Sequence, residues 1–175
     1  MTWKTLASDK KADFPLFKVF QDLVELQNGL RLDYYRIEKV PAVVILPVIS
    51  NKIVFVDQYR YPVRSMSLEL PAGHMDDDET PEECAKRELQ EETGYKAGEI
   101  KQLLSYHPSA EYSDQVYHIF IAKDLKAGKT NREKYELMEV ELLDIGSVIE
   151  RILKGTITDG RTITAILLAK YLNKI

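Results

Sequence analysis

A single cysteine, Cys84, among 175 residues rules out an internal disulfide framework and any zinc site built from several thiolates. That usage fits a reducing compartment, so a cytoplasmic location is expected. No stretch approaches the roughly 20 consecutive apolar residues that a membrane-spanning helix needs; a long apolar run such as Ala42–Ile49 reads only AVVILPVI. The N-terminal segment MTWKTLASDKKADF lacks the apolar centre of a signal peptide, and its early acids argue against a transit peptide. A basic excess is missing too. With 24 Lys and Arg against 28 Asp and Glu, the net charge of -4 is too small and too mixed in sign to make a platform for nucleic acid or an anionic membrane. No repeat, low-complexity tract or Gly/Ser/Pro-rich linker divides the chain. What is present is 45% hydrophobic residues, enough for one packed domain with a small annex.

Residues 17–38 read as a β-hairpin about Asn28-Gly29, because this pair tolerates the positive φ of a tight turn between two apolar-rich runs. Ala42–Ile49 and Lys52–Gln58 form a second hairpin across Ser50-Asn51. Thr80 as N-cap, Pro81 at the first helical position and Glu83 three residues after the cap announce a helix that stops at Gly94. Further strands are expected over Ile100–Tyr106, Gln115–Ala122 and Glu139–Leu143. A short helix should follow over Ile145–Leu153, and then one capped by Asp159 that carries Ile163, Ile166, Leu167 and Tyr171 on one side. Strands with interspersed helices and no regular βαβ rhythm predict a mixed sheet covered by helices.

The segment with chemical content is Gly73–Tyr95, GHMDDDETPEECAKRELQEETGY. At about 100° per residue, Glu88, Glu91 and Glu92 share one helix face bordered by Ala85 and Leu89, while Glu83, Lys86 and Gln90 lie elsewhere. Each like-charge pair on that face costs on the order of 4 kcal/mol at about 4 Å and an effective dielectric near 20. Arg87 alone is a meagre counter-charge for three acids, and a divalent cation would supply the rest. Carboxylate oxygens suit hard ions, and Mg²⁺ takes a few of them while filling its other positions with water and phosphate oxygens. A solvated acidic helix face is the bland alternative.

The spacing decides between them. Gly73-x5-Glu79-x7-Arg87-Glu88-Leu89-x-Glu91-Glu92-x-Gly94-Tyr95 matches the whole Nudix box, a coincidence of roughly one in 10⁸ starting points at average residue abundance, and the chain therefore resembles the Nudix hydrolases. The resemblance implies an α/β (α+β) fold, the Nudix α/β/α sandwich with a mixed β-sheet, spanning residues 41–175. Residues 1–40 are then a small N-terminal antiparallel β annex. It also implies Mg²⁺-dependent hydrolysis, with Mn²⁺ as a substitute, of a nucleoside diphosphate linked to another group. The family's metal ligands fall on Glu88 and Glu92, with Glu91 as a further ligand and catalytic group and the Ala72 carbonyl as a backbone ligand. Arg87 is similar to the residue that orients the box glutamates, and Glu79 to one that braces the loop. Gly73 is a position of close approach and Gly94 a helix end.

Gln58-Tyr59-Arg60-Tyr61-Pro62 and Glu69-Leu70-Pro71-Ala72-Gly73 resemble segments of the ADP-ribose pyrophosphatases and related nucleoside diphosphate sugar hydrolases, as does Ile157-Thr158-Asp159-Gly160-Arg161-Thr162. The fork of Arg60 suits a phosphate or the distal sugar. Glu69 either accepts from substrate hydroxyls or anchors Arg60. Glu111 and Tyr112 fall in the segment Pro108–Asp114, which takes the place of the subgroup's substrate loop; Tyr112 either stacks on a base or ribose or simply packs. Pro108 comes earlier than the subgroup's proline, and Ser113-Asp114 replaces its Ser-Glu pair, which leaves room for other nucleoside diphosphate sugars. The subgroup's general base is a loop glutamate, expected here at Glu136, with Glu139 and Glu133 as alternatives. His74, His107 and His118 lack metal spacing, and Cys84 is read as packing.

The resemblance further implies a homodimer assembled through the annex, with no nucleic-acid or membrane partner. Two alternatives stay open: a Nudix hydrolase of dinucleoside polyphosphates, capped RNA or oxidised nucleotides, and a non-catalytic nucleotide-sensing module. The complete set of box acids disfavours the second.

Overall fold

Residues 2–130 and 137–175 are described by the computed structural model. They fall into two compact units, one of residues up to Pro41 with Tyr106–Tyr117, the other of Ala42–Ser105 with His118–Ile175.

The first unit is a three-stranded antiparallel sheet, β1 (Lys4–Phe14), β2 (Phe17–Glu25) and β3 (Arg31–Lys39), in that order. β1 was not anticipated, since a run as polar as KTLASDKKADF has no alternation to betray it. It is an edge strand with register irregularities at Thr5/Ala7 and Lys10/Ala12, and its charges and bulges suit an edge that must not pair further. The β2–β3 hairpin stands where expected, but the turn differs. The paired strands end at Glu25 and Arg31, leaving a five-residue loop over 26–30 in which only Gly29 has positive φ, at 79°. Asn28 contributes its side chain instead, accepting from the Leu30 N–H at 3.1 Å. Residues 106–117 join this unit through bonds such as Ile37 N–H to the Tyr112 carbonyl at 2.7 Å.

The second unit holds a seven-stranded mixed sheet ordered β12-β5-β4-β10-β9, with β6 on β5 and β7 on β4. Its strands are β4 (Ala42–Ile49), β5 (Lys52–Arg60), β6 (Ser65–Glu69), β7 (Ala72–His74), β9 (Glu99–Tyr106), β10 (Tyr117–Lys123) and β12 (Met138–Asp144). A two-stranded ribbon pairs β8 (Tyr95–Lys96) with β11 (Lys126–Ala127). The β4–β5 turn is the two-residue Ser50-Asn51 turn the sequence suggests, with Ser50 at φ 53°.

β4 explains the layering. Residues 42–46 are all buried, whereas alternate residues of a strand point to opposite faces, so both faces must be covered. Val43 and Ile45 pack with Cys84, Ala85 and Leu89 of α1 (Pro81–Thr93) and with Phe120 and Ala122 of β10. Val44 and Leu46 face the other way, and α3 (Gly160–Tyr171) also packs on β4. α2 (Ile145–Leu153) lies against β12. A sheet between helices is thus the sandwich that the box implied.

The α3 face differs from expectation. Thr162, Ala165, Ile166 and Ala169 are buried, while Leu167 and Tyr171 are exposed. Small residues let the helix approach the sheet closely, and that overrides the larger apolar side chains on the neighbouring arc. Asp159 caps the helix as read, accepting from the Thr162 N–H at 2.9 Å.

Among its described residues the first unit carries one buried charge. Asp22, 5% exposed, accepts from the Ser8 hydroxyl and from Arg36 Nε at 2.6 Å, and Arg36 lies 4.2 Å over the Phe20 ring. The Ser8 hydroxyl and then Arg36 hold its carboxyl below the ordinary value, against the opposing effect of burial. A lowered folded-state pKa contributes stability above the ordinary carboxylate range that is lost as pH falls through the folded value. Asp22→Asn should therefore lower the unfolding midpoint at pH 7 and flatten its acid dependence below about pH 4, as thermal unfolding across pH would show.

Candidate active site

The site is assembled on one helix and the strand it crosses. Thr80 Oγ1 accepts from the Glu83 N–H at 3.3 Å and Glu83 returns the bond to the Thr80 N–H at 2.9 Å, a reciprocal capping box that fixes where α1 begins. Gly94, at φ 77°, ends it in the left-handed conformation, its N–H bonded to Gln90 O. With both ends fixed, Glu88 and Glu92 lie one turn apart on the inner face, 8% and 4% exposed, and Glu91 is half-buried beside them.

β7 meets that face at two consecutive residues. The Ala72 N–H donates to Glu92 Oε2 at 3.1 Å. At Gly73, a Cβ would stand 1.9 Å from a Glu88 carboxylate oxygen, so the absence of a side chain is what lets the carboxylate lie against the strand.

Arg87 answers the crowding. Its Nε and Nη2 grip Glu79 at 2.9 and 2.8 Å, Nη1 reaches Glu88 at 2.7 Å and Glu91 at 3.1 Å, and Nη2 also donates to the His74 carbonyl at 3.1 Å. The guanidinium holds the Glu79 carboxyl down to about 2, and the same acids push Arg87 up, so it stays protonated. Glu79 also accepts from the Asp76 N–H at 3.1 Å, which makes it a loop brace, as its position in the box suggested. Cys84 is fully buried, and burial pushes its thiol up; it packs and does not attack.

The donor set suits a hard divalent ion: two buried carboxylates, a third beside them and a backbone carbonyl, all oxygen. Among the described residues no three His, Cys, Asp or Glu side chains stand close enough to form a finished cation cage. Arg87 and the Ala72 amide hold these carboxylates in register, and the cradle at Gly73 keeps Glu88 beside Ala72 and Glu92. These residues fit a metal without being locked around one.

A second cluster joins the ends of β5 and β6 to the first turn of α3. Glu69, 2% exposed, accepts from Arg60 Nε at 3.0 and 3.2 Å and from Nη2 at 2.6 Å, and also from Arg161 Nη2 at 2.7 Å. Of the two roles open to Glu69, anchoring Arg60 is therefore the one made in this structure. Arg161 was visible in the sequence only as part of a C-terminal pattern. Its partner lies 92 residues away, and no local signal pairs the two.

The remaining candidates belong to other elements of the chain. Glu139 pairs opposite Asp57 and Glu69 opposite Val56 on the same strand, so the two acids project from opposite faces of β5. Glu111 and Tyr112 belong to the first unit. The Glu111 carbonyl accepts from the Tyr34 hydroxyl, and the Tyr112 hydroxyl donates to Ser109 Oγ at 3.1 Å, leaving its ring about half exposed. Glu133 and Glu136 lie outside the described residues. His107 and His118 make local bonds, to the Gln115 carbonyl and to Ser105 Oγ.

Known proteins resemble this chain in sequence and in fold. The chain is 31% identical over 166 residues to the methanol dehydrogenase activator of Bacillus methanolicus, spanning 93% of this chain and 90% of that one. It is 32% identical over 169 residues to the ADP-ribose pyrophosphatase of Bacillus subtilis (strain 168), with the same coverage. Its fold superposes on a crystal structure of an ADP compounds hydrolase with a TM-score of 0.89 at 23% identity, over 99% of this chain and 95% of the other. The model of the NUDIX domain matches residues 38–165, and the chain belongs to that family.

Proposed function

We propose that this protein is a divalent-metal-dependent Nudix pyrophosphohydrolase that cleaves the diphosphate of ADP-ribose or a related nucleoside diphosphate sugar, releasing a nucleoside monophosphate and a sugar phosphate. The observation that carries the reading is the buried Glu88–Glu92 pair held against Ala72 and Gly73 with Arg87 as its counter-charge. The ADP-ribose pyrophosphatase of Bacillus subtilis, 32% identical over 93% of this chain, supports the same reading.

Glu88, Glu92, Glu91 and the Ala72 carbonyl would hold Mg²⁺, or Mn²⁺ in its place. When bound, the ion screens the diphosphate charge and activates water. The protein's own part is positional. Arg87 bonds Glu88 and Glu91 and fixes their rotamers, and Glu79 holds Arg87. Arg60 offers its outer edge to a phosphate or the distal sugar, with Glu69 behind it. Glu136 is our assignment for the general base, and it lies outside the described residues. We propose a cytoplasmic location from the single cysteine; among the described residues no helix is long and apolar enough to cross a membrane.

We also propose a homodimer. The first unit leaves Trp3, Phe14, Leu16, Phe17 and Tyr35 exposed, more apolar surface than a small sheet comfortably shows to water. Light scattering should return twice the chain mass, and a monomer at working concentration would remove the idea.

A panel of ADP-ribose, ADP-glucose, GDP-mannose, UDP-glucose, NADH and nucleoside triphosphates, with Mg²⁺, Mn²⁺ or EDTA and separated products, tests the function. We expect metal-dependent cleavage of at least one nucleoside diphosphate sugar. Glu92→Gln should lower that turnover by about a hundredfold or more, the upper end of what disturbed metal sites lose, and full retained activity would displace the site. Gly73→Ala should keep the fold, since the colliding atoms are the tip of one flexible side chain, yet cost about 10- to 100-fold in activity by evicting the Glu88 carboxylate. Circular dichroism beside the kinetics separates the two effects.

A further inference from the structure

We infer that Arg161 is a positioning residue that acts on substrate affinity through Arg60, by way of the Glu69 carboxylate the two arginines share. The inference rests on the proposed reaction for its kinetic consequence, but its structural core does not.

Arg60 meets Glu69 side-on, through Nε and Nη2, which fixes the plane of its guanidinium. Its other terminal nitrogen, Nη1, has no bond to any described residue, and the side chain is 37% exposed. The free edge is thus aimed by the bound edge. Glu69 itself is buried, and the oxygen that receives Arg60 Nη2 at 2.6 Å, Oε2, also receives Arg161 Nη2 at 2.7 Å. Two cations on one oxygen would repel each other if nothing else balanced them. Asp159 balances Arg161, accepting from its Nε at 2.9 Å, and Asp159 is in turn fixed by the Thr162 N–H at 2.9 Å and hydroxyl at 2.8 Å. Charge therefore alternates along Asp159, Arg161, Glu69 and Arg60, and the chain ends at the open edge of Arg60.

The same helix turn grips the next residue of the strand connection, for Thr162 Oγ1 accepts from the Leu70 N–H at 2.9 Å. The first turn of α3 thus sets both the backbone after Glu69 and the carboxylate itself. Ala72, whose amide holds Glu92, follows Glu69 by three positions. Fully extended, that is at most about 11 Å of chain. The backbone at Glu69, which anchors Arg60, is thus no farther than that from the backbone at Ala72.

Loss of Arg161 would leave Glu69 bound by Arg60 alone and free to drag the guanidinium inward. The metal-holding carboxylates would be untouched, so the effect falls on binding and not on turnover. We expect Arg161→Gln to raise KM for the cleaved nucleotide sugar about tenfold, the scale of one lost charge-assisted bond, with kcat within about twofold. Arg161→Lys, which keeps the charge and one donor, should restore part of the loss. In an Arg60→Gln background, Arg161→Gln should add nothing further. A persistent Arg161 effect there, or an unchanged KM in the single variant, would overturn the inference.

One readout needs no substrate. The ¹⁵N-resolved Arg60 Nε–H resonance, assigned by its disappearance in Arg60→Gln, should exchange slowly with water in the wild type and faster in Arg161→Gln. An Arg60 signal indifferent to Arg161 refutes the positioning role even if the enzyme proves to cleave none of the panel; inactivity with a responsive signal refutes only the proposed reaction. Unfolding midpoints confirm that each variant is folded, and Arg161→Lys carries the test if Arg161→Gln is not.

Discussion

The constraint on which this structure turns is the placement of several carboxylates in one small, mostly buried region of α1. Glu88 and Glu92 are nearly inaccessible, Glu91 stands beside them and Glu79 reaches in from the preceding loop. An uncompensated buried charge is strongly destabilising, so the fold has to supply cations and amide donors at fixed points. Arg87 supplies the largest share. It is held by Glu79 through a two-pronged contact and spends its remaining nitrogen on Glu88 and Glu91. The Ala72 amide meets Glu92.

The segment Glu69–Gly73 joins this cluster to the second one. At one end Glu69 carries Arg60 and Arg161; at the other, Ala72 holds Glu92 and Gly73 leaves room for Glu88. Two charged clusters, one around the acids of α1 and one around the Arg60–Glu69–Arg161 contact, are thus joined by five consecutive residues. Register explains how five residues suffice. β6 ends on β5 with Glu69 opposite Val56, and β7 begins on β4 with Ala72 opposite Val44, so the connection is fixed by pairing on both sides.

Local chemistry was legible in the sequence wherever it repeats at short range. The capping box at Thr80 and Glu83, the stop at Gly94, the shared face of Glu88, Glu91 and Glu92 and the two-residue turn at Ser50-Asn51 depend on residues within a few positions of one another. β1 escaped because an exposed edge strand gains its stability from backbone pairing, which leaves no apolar alternation to read. The loop at 26–30 escaped because Asn28 has two ways to make a turn, by positive φ or by its side chain, and composition does not choose between them. On α3 the apolar count pointed to Leu167 and Tyr171, whereas close packing on the sheet selects the arc of Ala165 and Ala169.

The Arg161–Glu69 contact marks the limit of sequence reading most clearly. Both residues stood in segments that carried a resemblance, yet nothing within either segment says that a carboxylate at the end of β6 and a guanidinium in the first turn of α3 share a bond. Only the fold brings them together, by laying α3 so that Thr162 meets the Leu70 amide. Once that amide is fixed, Glu69 is one residue away and Arg161 is one residue before Thr162, so the ion pair follows from the backbone contact. A buried acid that would otherwise be costly becomes the pivot between two cations. The asymmetry of their surroundings then separates their roles: Arg161 is tied back to Asp159, which leaves Arg60 as the member of the pair with an edge to present outward.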